Sequence, residues 1–152
     1  MRSFIDTNVL VYADAPDAAA KQAIALDLVA THLRSGTGVI STQVLDEFVN
    51  AALRKLMLPL DLVRSRVRLY SRFEVVNASP AAVLHGLDLL ALHQMSFWDS
   101  LIVQAARDSG CVQVLTEDLQ SNALVAGVRI VNPFAADAAP APARAAVKAK
   151  RR

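Results

Sequence analysis

The strongest constraint this sequence places on its fold is an alternation of very short apolar runs with long stretches of helical spacing. Ser3 to Ile5, Val39-Ile40, Phe73 to Val76, Val112 to Leu115 and Val128 to Val131 have the length of buried strands. From Ala18 to Ser35, Ile24, Leu26, Leu28, Val29 and Leu33 recur at helical intervals until Gly36-Thr37-Gly38 ends the segment. Val44, Leu45, Phe48, Val49, Ala52, Leu53 and Leu56 form one broad stripe, and helical spacing returns from Leu60 to Arg72, from Ser79-Pro80 through Ala91, and from Phe97 to Ser109 before Gly110. Thr7 to Tyr12 carries Val9, Leu10 and Val11 into a polar loop around Asp14, Pro16 and Asp17, a pattern of strand followed by turn. A short helix is expected after Thr116-Glu117-Asp118, reaching about Leu124. Parallel strands need long crossovers, and helices supply them. The expected fold is a three-layer α/β/α sandwich around a mainly parallel sheet of about five strands.

The chain has 152 residues, which suits one domain with a single core. Its hydrophobic fraction of 54% is rich in alanine, and charges interrupt every apolar stretch before membrane-spanning length. Asp6 arrives too early for the apolar core of a secretory signal, so the cytoplasm is the expected compartment. The lone cysteine, Cys111, sits in an apolar context that suits packing. Although the pI is near 9.0, the positive charge is not spread evenly. Of the 16 Lys and Arg, five lie in residues 135 to 152, against one of the 14 Asp and Glu. The body, residues 1 to 134, is therefore slightly acidic. The tail is made mostly of Ala, Pro, Lys and Arg and is expected to be disordered.

In open parallel sheets ligands sit outside the carboxyl ends of the strands. Asp6 ends the first expected strand and Asp118 closely follows the fourth, with Asn8, Ser41 and Thr116 as uncharged neighbours. Asp99 and Glu47 lie in the first turns of helices that can face the same edge. Two carboxylates about 5 Å apart at an effective dielectric near 20 repel by roughly 3 kcal/mol, so such a cluster calls for a cation. Hard oxygen ligands select Mg²⁺ or Mn²⁺, and an ion so held suits phosphodiester hydrolysis. Each acid also has a structural reading. Asp6 suits a cap before Thr7-Asn8, Glu47 shares a polar helix face with Gln43, Asn50 and Arg54, Ser96 to Asp99 has the form of a capping box, and Asp118 can cap a short helix. Periodicity does not separate Glu47 from Asp46, nor Asp118 from Glu117. Arg64, Arg66, Arg68 and Arg72 read as a solvated helix face, and His32, His85 and His93 lack mutual metal spacing.

Phe4-Ile5-Asp6-Thr7-Asn8-Val9-Leu10-Val11-Tyr12 resembles the opening motif of PIN-domain ribonucleases, particularly the VapC-type toxins of bacterial toxin-antitoxin pairs. Val44 to Phe48, Phe97 to Ile102 and Leu115 to Gln120 resemble the segments that carry the family's other acids, and Gly127 to Phe134 resembles a common family ending. Order and spacing agree over residues 3 to 134. The resemblance implies Asp6 and Asp99 as principal ligands of Mg²⁺ or Mn²⁺, Glu47 and Asp118 completing the pocket directly or through water, and Asn8 and Thr116 assisting by hydrogen bonds. It also implies an RNA substrate, a homodimer and a small antitoxin partner. Two other classes compete. One is a non-catalytic interaction module for a protein or RNA, in which the acids merely cap helices. The other is a phosphatase, which is disfavoured because Asn8 stands where the usual second acid would be.

Overall fold

The computed structural model describes residues 1–135. The basic tail expected from residue 135 therefore lies, beyond Ala135, outside the described residues. The chain runs β1 (Ser3–Ile5), α1 (Thr7–Tyr12), α2 (Ala19–Ser35), β2 (Gly38–Ser41), α3 (Thr42–Arg54), α4 (Leu60–Tyr70), β3 (Glu74–Val76), α5 (Pro80–His93), α6 (Phe97–Asp108), β4 (Gln113–Leu115), β5 (Leu124–Val125) and β6 (Val128–Val131), with one 3₁₀ turn at Pro16–Ala18. The sheet order is β3-β2-β1-β4-β6-β5. All neighbours pair in parallel except β5, which is antiparallel to β6. The α/β fold with a mostly parallel, helix-flanked sheet is the one the apolar runs imply, with six strands in place of five.

β1 occupies the middle of the sheet, and Ser3, Phe4 and Ile5 are all fully buried. Its neighbours β2 and β4 come from distant parts of the chain, so their carboxyl ends are brought beside Asp6 by strand register alone. Helices α1 to α4 pack on one another, while α5 pairs with α6, which lies across β1, β2, β4 and β6. Phe48 of α3 meets Tyr70 of α4 edge-on at 5.1 Å, and Tyr70 stacks on Phe73 at 6.3 Å. Burying such side chains contributes about 1.5–3 kcal/mol each, which ties α3 and α4 to the sheet. Among the described residues, no helix is long and apolar enough to cross a membrane.

Two local expectations are corrected. Thr7 to Tyr12 is a helix rather than a continuation of strand or turn. Three consecutive apolar residues have no readable period. The Asp6 carboxylate caps the segment, and packing of Val9 and Leu10 in the core against α3 decides the matter. Residues 117 to 123 do not form a helix. They are a loop that leads into β5 and a hairpin, whose two connecting residues, Ala126 and Gly127, have φ of +50° and +83°. Positive φ at both central positions is the type I′ geometry that matches strand twist. Asp118 is consequently not a helix cap.

Ala126 bears the cost of a left-handed conformation, about 1 kcal/mol, that glycine avoids. Ala126→Gly is expected to raise the melting temperature by about 2–4 °C, whereas Gly127→Val lowers it; thermal unfolding followed by circular dichroism measures both.

Candidate active site

Parallel pairing of Ile5 with Leu115 places the residues that follow them, Asp6 and Thr116, side by side at the carboxyl edge. The Asp6 amide continues the ladder by donating to the Leu115 carbonyl at 3.1 Å. Asp6 is only 5% exposed. Its Oδ1 accepts from the Thr7 amide at 2.7 Å, and its Oδ2 accepts from the Thr116 hydroxyl at 2.7 Å. Asn8, the second residue of α1, aims Nδ2 at three oxygens: Thr116 Oγ1 and Asp118 Oδ2 at 3.1 Å each, and Asp6 Oδ2 at a long 3.4 Å. The other end of that amide, Oδ1, is buried and has no partner among the described residues. Thr116 also accepts from the Asp118 amide at 3.1 Å, which bends the loop back over the strand end.

Glu47 reaches the same region from α3. That helix starts at the end of β2, where Ser41 Oγ accepts from the Val44 amide at 3.3 Å. Glu47 is half-buried; Oε2 accepts from the Thr7 hydroxyl at 2.6 Å and Oε1 from the Gln43 amide at 2.8 Å. Asp46 beside it is exposed. Asp99 sits at the third position of α6, where its backbone amide donates to the capping Ser96 hydroxyl at 3.1 Å. Asp6 therefore caps α1, and at the start of α6 the cap is the Ser96 hydroxyl. Glu117 and Asp118 diverge. Glu117 turns away to accept from the Tyr12 hydroxyl and to pair with Lys21 at 2.8 Å, while Asp118 is exposed beside Asn8. Thr7 and Gln43 were not singled out as contributors from sequence. Their only signals were adjacency to Asp6 and a four-residue spacing from Glu47.

Asp6 and Asp99 each lie within electrostatic reach of Glu47 and Asp118. Burial pushes Asp6 up to about 6, against the pull of the Thr116 and Thr7 hydrogen bonds, and Asp118 and Glu47 add repulsion. Burial also raises Asp99, opposed by Ser96 and again reinforced by Asp118 and Glu47. Three carboxylates elsewhere are matched by cations: Arg66 forks onto Asp14 at 2.8–3.0 Å, Lys21 pairs with Glu117, and Arg2 pairs with Glu74. Among the described residues, none of Asp6, Glu47, Asp99 and Asp118 forms an ion pair. Arg66 therefore links α4 to the loop after α1 instead of lying free on a solvated face.

This donor set, all oxygen and unmatched by cations, suits a hard divalent ion. Among the described residues no three acidic, histidine or cysteine side chains are gathered tightly enough to hold an ion by themselves, so the fit is to a hydrated ion of the Mg²⁺ type, which takes one or two carboxylates and keeps several waters. Cavities open on both sides of the acids. One of about 530 Å³ is lined by Gln43, Glu47, Leu101 and Trp98, which is 61% exposed. A second, of about 450 Å³, has Asp99 and Asp118 on its wall.

The PIN domain family model matches residues 3–127, and the chain belongs to the PIN domain family. Its structure is similar to that of VapC20 from Mycobacterium tuberculosis, described as a sarcin-ricin loop cleaving toxin, with a TM-score of 0.63 at 20% identity over 76% of this chain and 91% of that one. A toxin-antitoxin complex from Klebsiella pneumoniae gives a TM-score of 0.61 at 18% identity, covering 86% and 97% of the two chains. VapBC2 from Rickettsia felis, bound to a DNA fragment from its promoter, gives 0.62 at 18% identity with the same coverage. No curated protein matches the sequence.

The raised pKa of Asp6 has a testable consequence in metal-free protein. A carboxyl whose folded-state pKa lies above its ordinary value favours the folded state while protonated, and this advantage is lost as pH rises from about 4 to about 6. Asn at this position keeps an acceptor for the Thr7 amide without the charge, and its NH₂ can donate to the Thr116 hydroxyl in place of the bond the carboxylate accepts. Asp6→Asn is expected to stabilise the metal-free protein by on the order of 1–3 kcal/mol near pH 7.5 and by little near pH 4, as read by urea unfolding at the two pH values.

Proposed function

We propose that this chain is a divalent-metal-dependent endoribonuclease and the toxin of a toxin-antitoxin pair. What supports the reading is that Asp6 and Asp99, from separate elements, each feel the charges of Glu47 and Asp118, while among the described residues none of the four acids is offset by an ion pair. Asp6 and Asp99 would hold Mg²⁺ or Mn²⁺, with Glu47 and Asp118 reaching it directly or through water. When bound, such an ion supplies an acidified water and neutralises charge on a phosphodiester. The chain's own residues prepare the site. Thr116 and the Thr7 amide orient the Asp6 carboxylate, Thr7 and Gln43 hold Glu47, and Asn8 steadies Asp118 at the solvent side where RNA must enter.

The toxin assignment rests on the VapC likeness of the fold, which suggests an antitoxin partner, and the homodimer is what the resemblance of the sequence motifs implies. One observation favours a non-catalytic module instead: Asp6 caps α1, and Asp99 lies in the first turn of α6, where an acid suits the helix dipole without chemistry.

Purified protein incubated with transfer and ribosomal RNA is expected to cleave with Mn²⁺ and to stop with EDTA. Asp6→Asn and Asp99→Asn should each reduce cleavage by at least about 100-fold and weaken Mn²⁺ binding by calorimetry, while far-ultraviolet circular dichroism stays unchanged. Full cleavage by both folded variants would instead establish the capping reading.

A further inference from the structure

We propose that the cavity of about 450 Å³ beside Asp99 and Asp118 is a subsite for one unstacked nucleobase, read at its edge by the side-chain amides of Gln94 and Gln120. The inference deepens the ribonuclease reading and rests on it for the choice of RNA as ligand. The cavity lies between the α5–α6 turn, which contributes His93, Gln94 and Met95, and the loop and hairpin around Gln120, Val125 and Ile130. Because Asp99 and Asp118 form part of its wall, a phosphate placed at the acids leaves an adjoining nucleoside facing this opening.

The wall chemistry fits a base better than a sugar or a phosphate. Met95, Leu119 and Leu124, the last of them 68% exposed, offer apolar surface to a flat ring, and among the described residues no lysine or arginine lines the cavity to attract a second phosphate. Gln94 and Gln120 are exposed, and each carries a donor and an acceptor on one planar group, the pairing geometry that amides use on base edges. Neither amide is needed to hold the fold locally. The end of α5 is closed by the Gln94 backbone amide donating to Leu90, and the loop is held through Thr116 and Ser121. Gln94 also has φ of +52°, a conformation in which glycine or asparagine would cost less, so helix termination alone does not account for a glutamine there. Recognition of single-stranded RNA commonly reads unstacked bases by hydrogen bonds along their edges.

The test separates the subsite from the chemistry. Metal-free protein is titrated with adenosine, guanosine, cytidine, uridine and ribose, with the Gln94 and Gln120 side-chain amide signals and the Met95 methyl followed by nuclear magnetic resonance. The expected result is a shift of these signals by one or two of the nucleosides and none by ribose. Equal response to all five, or to none, overturns the proposal and leaves the cavity to a protein partner. In parallel, base preference is mapped around the bond cut in oligoribonucleotides. Gln94→Gly, which relieves the backbone and so should fold, and Gln120→Ala are expected to relax preference at one flanking position by about tenfold, with Mn²⁺ affinity unchanged. Preference that persists in both variants overturns the proposal while leaving the ribonuclease reading intact. Nucleoside binding without any RNA cleavage by the wild-type protein would remove the ribonuclease reading instead.

Discussion

A buried carboxylate held only by uncharged donors is the constraint on which the rest of this structure depends. Asp6 ends the central strand, and its oxygens are occupied by the Thr7 amide, the Thr116 hydroxyl and the edge of the Asn8 amide. Neutral hydrogen bonds lower the cost of burying the charge but do not cancel it, and so its pKa stays well above the ordinary carboxylate range. Glu47 and Asp118 add repulsion, which the proposed divalent cation would offset. The same bond that satisfies Asp6 starts α1, so the edge of the sheet and the first helix are organised around one side chain.

The geometry is held by elements of unequal rigidity. Asp6, Glu47 and Asp99 sit at or near the start of helices whose caps are in place. Asp118 sits in a loop without regular structure, and the loop's stiffness comes from its neighbours. Lys21 pairs with Glu117, donates to the Tyr12 hydroxyl at 3.1 Å and lies over the Tyr12 ring at 4.6 Å, and Phe134 closes on the same ring edge-on at 4.9 Å. One residue of the Glu117-Asp118 pair anchors the loop while the other is left available to solvent. The pair illustrates how adjacent acids with the same sequence signal acquire different roles.

Much of the framework was legible because the signals are local. Ser41, Ser79 and Ser96 each precede a helix and cap it through the side chain, and Gly36 adopts the left-handed conformation that ends α2. Segments without such signals were misread. The Val-rich stretch from Thr7 to Tyr12 is too short for its period to show, and the two-residue β5 is too short to register as an apolar run. Glu47 and Asp46 are adjacent on α3 and point in different directions, and only the packing of α3 against α1 determines which one meets Thr7.

The amino-acid sequence alone determined the alternation of short buried strands with capped helices, and hence a parallel sheet with acids at its carboxyl edge, because apolar spacing and capping act over a few residues. Which acids share an environment was settled only by tertiary structure. The contacts that gather them join Asp6 to Thr116, Asn8 to Asp118 and Thr7 to Glu47, across separations of 110, 110 and 40 residues. Contacts over such distances follow from strand register and helix packing, and no local pattern encodes them.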